Sequence, residues 1–232
     1  MRWVFGVTVA ASLVLITYAL QHWGAAEIRA EGGEIIFPEL AGVLWLVFAV
    51  NVFSWLGLSF RYDVLDGRNV AALVAICGAL LAAAILYCGS SVGEGPSYLD
   101  NFFCLGLGAA SLLVLWVLME VIGGTSRSIT ENRDVASGIR LCGFLIAGGL
   151  VLGRALAGDW HSASATVQDL LHDGWPALFI CAVAVFIERL ARPSQRRPFP
   201  AWPVFGLLPA LIYFALAAGW IWHLGPWEGM PQ

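Results

Sequence analysis

NVAALVAICGALLAAAILYCG (69–89) is twenty-one residues without a charged side chain. At a rise of 1.5 Å per residue that is the length a helix needs to cross the hydrocarbon core of a bilayer. Further predominantly apolar windows occur near 3–22, 39–59, 101–123, 135–156, 174–191 and 203–223, which makes seven. Composition agrees: apolar residues are 59% of the chain and charged residues 12%, against about 25% charged in an average soluble protein. A water-facing surface of this size cannot be clothed with so little charge. The expected class is an all-α polytopic transmembrane bundle of about seven spans, with lipid as its first partner. The 26 glycines suit it, because small side chains let helices approach closely in a bilayer. The first run, full length and with no A-x-A site after it, reads as a retained span rather than a cleaved leader.

Charge then orients the stack. The N-terminus and the loops near 60–68, 124–134 and 189–202 hold Arg2, Arg61, Arg68, Arg127, Arg133, Arg189, Arg192, Arg196 and Arg197, whereas the alternate loops hold Arg29. The positive-inside rule places the N-terminus in the cytoplasm and the C-terminus outside. Ten acids fall on the other face: Glu27, Glu31, Glu34, Glu39, Glu94, Asp100, Asp159, Asp169, Asp173 and Glu228. A field of that sign gathers cations. All twelve basic residues are Arg, a choice open to two readings, bidentate pairing or codon bias.

The opening stretch is also written twice. DGRNVAALVAICG (66–78) returns as ENRDVASGIRLCG (131–143), with Arg, Val, Ala, Cys and Gly identical and five further like-for-like exchanges. Each copy starts in an Arg-bearing loop and enters an outward helix, and Asn69 and Asp134 stand where an N-cap acceptor belongs. Gly78 and Ala82 match Gly143 and Ala147, and Gly149 and Gly153 extend the stripe, predicting a tight seam between the third and fifth spans. A 65-residue repeat with two crossings keeps both copies the same way up. The division is a leading helix with an acidic loop at 1–38, a duplicated core at 39–160 (copies 39–98 and 99–160), and a degraded third hairpin at 161–232.

The stretches RYDVLDGRNVAALVAICG (61–78) and ITENRDVASGIRLCGFLIAGGLVLGRALAGDW (129–160) resemble the two halves of the YjfL-like family, a bacterial inner-membrane domain of unknown function (number 350). The resemblance implies tandem two-span units whose second helix opens on an Asn-Val-Ala-type motif, and it covers roughly 39–160. Asp134 in place of Asn and the extra flanking spans depart from that pattern. The resemblance implies architecture and location; it carries over no catalytic or ligand residue.

Ionisable residues inside a membrane are functional candidates by default. Glu120, Arg140 and Glu188 share a depth toward the cytoplasmic ends of the fourth, fifth and sixth spans, so a Glu–Arg–Glu cluster is expected, as a structural lock or part of an ion path. The bland alternative is three side chains snorkelling separately. Arg154, with Asp159 nearby, reads as a snorkelling residue. Asn51 and Ser54, three residues apart within the second span, are candidates for interhelical hydrogen bonds or a polar lining. Cys77, Cys142 and Cys181 read as packing residues, while Cys88 and Cys104 flank one loop and leave a disulfide open. His22, His161, His172 and His223 are too scattered for a metal or haem site. H-E-x-x-H and a Gly-rich phosphate loop before a helix do not occur. No enzyme activity, cofactor, metal or nucleic-acid partner is expected. Two functions remain: a channel, transporter or envelope-stress component working as an oligomer or with a membrane partner, and a non-transporting scaffold using "RPSQRRPF" (192–199) against partners or anionic lipid.

Overall fold

The computed structural model describes residues 1–30, 34–193 and 201–227, and among these there is no strand. The helices are α1 (Arg2–Trp23), α2 (Ala26–Arg29), α3 (Ile36–Trp55), α4 (Val70–Ser90), α5 (Tyr98–Leu118), α6 (Thr125–Thr130), α7 (Val135–Ala155), α8 (Ala163–Asp173), α9 (Trp175–Ala191) and α10 (Leu208–Leu224). Six helices are long and apolar enough to cross a membrane. The α8–α9 pair, bent by 42°, adds a seventh if it counts as one span. Trp3, Val7, Leu44, Val47, Phe186 and Trp222 are exposed, an outward apolar surface that belongs against lipid rather than water.

Glycine contacts set the order of the helices. Gly138 presses on Ala71, Gly78 on Cys142, Gly149 on Ala82 and Gly153 on Ile85, so the contacts climb α4 and α7 together and the two helices run parallel. A Cβ on Gly89 would stand 2.6 Å from the Gly153 Cα, closer than real atoms come. The same sense continues to α10, where Gly206 meets Ala136 and Gly143 meets Ala210. At the other edge Phe5 stacks on Phe60 at the start of α1, and Trp23 at its end accepts the Gly93 amide at 3.2 Å. The result is a row α1–α4–α7–α10, all pointing one way, with α3, α5 and α9 laid against it as return helices. The apolar windows of α4 and α7 are 78% and 67% buried against 22% for α1 and α10, which puts α4 and α7 at the centre.

The expected seam is therefore present at Gly78, Ala82, Gly149 and Gly153, but Gly143 is a correction: it faces α10, not α4. Ala147 is fully buried. Two segments read as loops are helical instead: Phe60–Asp66 is a π-helical turn and Thr125–Thr130 is α6. α8, an amphipathic helix read as loop, is a further correction.

Both central helices begin alike. Arg68 and Arg133 take the left-handed φ of 50° and 51°, which turns the chain into the cap. The next amides bond back, Asn69 N to the Asp63 carbonyl at 3.0 Å and Asp134 N to the Ser128 carbonyl at 3.1 Å. Asn69 Oδ1 accepts the Ala71 and Ala72 amides at 3.0 and 3.2 Å; Asp134 accepts those of Ala136 and Ser137 at 3.2 and 3.0 Å. At the far ends Gly93 and Gly158 both have positive φ, 97° and 141°, where a side chain would be strained. There Gly158 donates to the Val92 carbonyl and Trp160 to the Glu94 carbonyl, tying the ends of the row together. Cys88 and Cys104 are both free thiols, so the disulfide left open by the sequence is not formed.

Candidate functional site

Asp134, Ser137 and Arg140 follow at intervals of three, which aligns them along one side of the first two turns of α7. That side faces α9 and the entry to α10. Arg140 and Glu188 are each 0% exposed, and Glu188 takes the guanidinium bidentately: Nε donates to Oε2 at 2.6 Å and Nη2 to Oε1 at 3.0 Å. Nη2 also donates to Ser137 Oγ at 2.7 Å and lies 3.7 Å from Asp134 Oδ2. Nη1 donates to the Phe205 carbonyl.

The chain places a proline four residues beyond that carbonyl. The amide that would normally bond it belongs to residue 209, and Pro209 has none. The backbone answers with a π-helical turn at Pro203–Leu207 before α10 begins. Arg140 thus fastens three elements, using donors whose desolvation is offset by ionised and neutral acceptors together. Gly123, at the end of the π-helical turn Met119–Gly123 that follows α5, makes room for this arrangement: a Cβ there would lie 3.3 Å from the Glu188 Cγ. Tyr213 of α10 stands in the electrostatic reach of Arg140 and Glu188; it is fully buried, and its hydroxyl has no hydrogen-bond partner among the described residues.

Of the expected trio the structure joins Arg140 and Glu188 and leaves Glu120 out. Glu120 instead accepts the Ser126 amide at 2.7 Å and the Ser126 hydroxyl at 2.6 Å, satisfying the first turn of α6. Asn51 and Ser54 are both exposed on α3; Asn51 Nδ2 donates to the Val47 carbonyl of its own helix at 2.7 Å, and its side chain borders an otherwise apolar groove between α1 and α3. Arg154 does not pair with Asp159. Its Nη2 donates to the Gly225 carbonyl at 3.0 Å, while Asp159 accepts the Glu94 amide at 2.8 Å. Sequence reasoning missed Ser137 as a member of the network and Tyr213 as its neighbour. The three-residue spacing around Ser137 was the available signal; Tyr213 is set by tertiary packing alone.

Two polar concavities lie on the face where α4 and α7 end. One of about 200 Å³ is bordered by Arg154, Asp159, Trp160, Asp169 and Asp173, the other of about 310 Å³ by Glu27, Glu34 and Tyr98. A groove of about 270 Å³ between α3, α4 and α5, bordered by Trp45, Phe53 and Trp116, is apolar. Among the described residues no group of three His, Cys, Asp or Glu side chains is placed to hold a metal ion. Compared with protein-family models, curated proteins and solved structures, the chain finds no match.

Proposed function

We propose that this is a bacterial inner-membrane scaffold: a bundle locked across its own helices that presents its polar ends to partners and lipid. The observation that carries this reading is Arg140, the residue an ion path would have to wet. It is 0% exposed and spends its donors on α7, α9 and the entry to α10. A buried arginine bound this way holds helices together, and removing it leaves carboxylates unpaired. The Arg-bearing loops then serve as the cytoplasmic docking surface, with Arg196 and Arg197 as its centre; both lie outside the described residues.

The same reading takes α3–α4 and α5–α7 as two copies of one hairpin and α9–α10 as a worn third. The matched caps, the paired left-handed arginines and the paired positive-φ glycines, each 65 positions apart, support it. The YjfL-like resemblance rests on the two quoted stretches alone. The second reading, a channel or transporter formed between copies of the chain, requires α9 to part from α7 so that Arg140 and Glu188 meet water.

Reconstitution separates the two. The scaffold predicts ion flux in proteoliposomes no greater than in empty vesicles. It also predicts that binding of the cytoplasmic face to phosphatidylglycerol vesicles falls at least tenfold in the Arg196→Gln, Arg197→Gln double variant. Flux above background that disappears in Arg140→Ala would overturn it in favour of transport.

A further inference from the structure

Counting hydrogens in the Arg140 network leaves one unaccounted for. Ser137 Oγ lies 2.7 Å from Asp134 Oδ2 and 2.9 Å from Glu188 Oε1, both hydrogen-bond distances between oxygens. It also accepts from Arg140 Nη2 at 2.7 Å. A serine hydroxyl has one hydrogen and can donate to one carboxylate. The second short contact then sets lone pair against lone pair, unless the other carboxyl carries a proton and donates it to Ser137. Charge gives the same count. Asp134, Glu188 and Arg140 sum to −1 in a region where Glu188 and Arg140 are 0% exposed and Asp134 6%. One added proton makes the network neutral.

We propose that Asp134, Ser137 and Glu188 together bind one exchangeable proton. Glu188, gripped on both oxygens by the guanidinium, is the ionised member. Asp134 Oδ2 holds the proton and donates it to Ser137 Oγ, whose own hydrogen goes to Glu188 Oε1. The proton belongs to the pair rather than to one residue, as coupled sites require. It enters from water at the slightly open edge of Asp134 and leaves the same way.

Asn69, the residue at the matching position of α4, shows what a neutral cap looks like here. Its oxygen accepts two helix amides while its Nδ2 donates to the Ile129 carbonyl at 2.7 Å. A protonated aspartic acid likewise combines acceptance from the helix amides with one donor, used here within α7 toward Ser137 Oγ rather than across to another segment. Apart from Glu188, the neighbouring elements among the described residues bring neutral groups or paired charges. α4 brings the neutral Ala71 against Gly138, and α6 brings the Ser128 carbonyl, which accepts the Asp134 amide. α10 brings the Tyr213 hydroxyl, while α9 brings Glu188 itself. The exposed Arg127 of α6 is paired with Glu131 at 2.8 Å, and Glu120 is held by Ser126.

Infrared spectroscopy of the full-length protein in lipid nanodiscs tests this directly. Near neutral pH the wild type should show the C=O band of a protonated carboxylic acid that shifts in D2O, and Asp134→Asn should lose it. That variant keeps the cap, as Asn69 does, so it is expected to fold. Thermal unfolding supplies a second readout. If the native protein holds a proton that the unfolded chain releases, its folding equilibrium constant falls about tenfold per pH unit as pH rises through that range. Asp134→Asn should flatten the fall. An acid band unchanged in both Asp134→Asn and Glu188→Gln, or pH profiles of equal slope for wild type and Asp134→Asn, overturns the proposal.

Discussion

Arg140 can sit inside the bundle because its partners arrive from three directions, and that sets what its loss should do. Arg140→Gln removes the bidentate grip on Glu188 and leaves a fully buried carboxylate with Ser137 alone. Breaking one side of a buried pair costs about 3–5 kcal/mol. We expect a lower Tm in detergent by circular dichroism, with most of the loss recovered when Glu188→Gln is added. Independent, additive losses from the two substitutions would show that the pair is not coupled. At this scale the chain was partly readable. Arg140 and Glu188 stand out because ionisable residues in apolar runs are rare, and Asp134 because a cap position has a fixed place before a helix. Glu120 misled for a physical reason. Depth in a membrane says how far along its helix a side chain lies, not toward which neighbour it points, and Gly124, at φ 66°, ends the helix and turns the chain so that Ser126 comes back over Glu120.

The element scale shows why a small-residue stripe names a seam but not all of its partners. Residues advance by about 100° around a helix. From Gly138, then, Cys142 and Gly149 stay within about 40° of it, while Gly143 lies about 140° round. The first set meets α4 and Gly143 meets α10. At the repeat-matched position α4 offers Gly78 to α7, and α7 offers Gly143 to α10. Equivalence in sequence thus predicts translation along a stack rather than mutual contact, as in repeat proteins whose units touch only their neighbours. The energetic consequence is site-specific. Gly89→Ala drives a methyl group into the Gly153 backbone, with no flexible side chain to yield, whereas Gly106 has nothing within 4 Å of its Cβ position. Gly89→Ala should cost about 1–3 kcal/mol, as overpacked sites do. Gly106→Ala, mid-helix and unobstructed, should be neutral or stabilising by up to about 1 kcal/mol. Equal melting temperatures for the two variants would contradict the close approach of α4 and α7.

For the whole molecule, the consequence of four parallel helices is a sidedness that can be measured without knowing what the protein does. If α1, α4, α7 and α10 all point one way, their approaches share a face and their exits share the other. Asp66 and Glu131 are exposed just before α4 and α7, while Pro96 and Gln168 are exposed beyond their far ends. The five native cysteines are free and buried or half-buried, so their replacement by Ala or Ser gives a background for single labels. On the orientation expected from arginine bias, with this face in the cytoplasm, Asp66→Cys and Glu131→Cys should react with a membrane-impermeant maleimide only once the membrane is opened. Pro96→Cys and Gln168→Cys should react in intact spheroplasts. The two pairs test different things. Reversal of all four sites would invert the bundle but leave its architecture standing, whereas Asp66→Cys and Glu131→Cys reacting from opposite sides would break the parallel row itself. The capped starts of α4 and α7, and with Asp134 the proton site, would then no longer share a face.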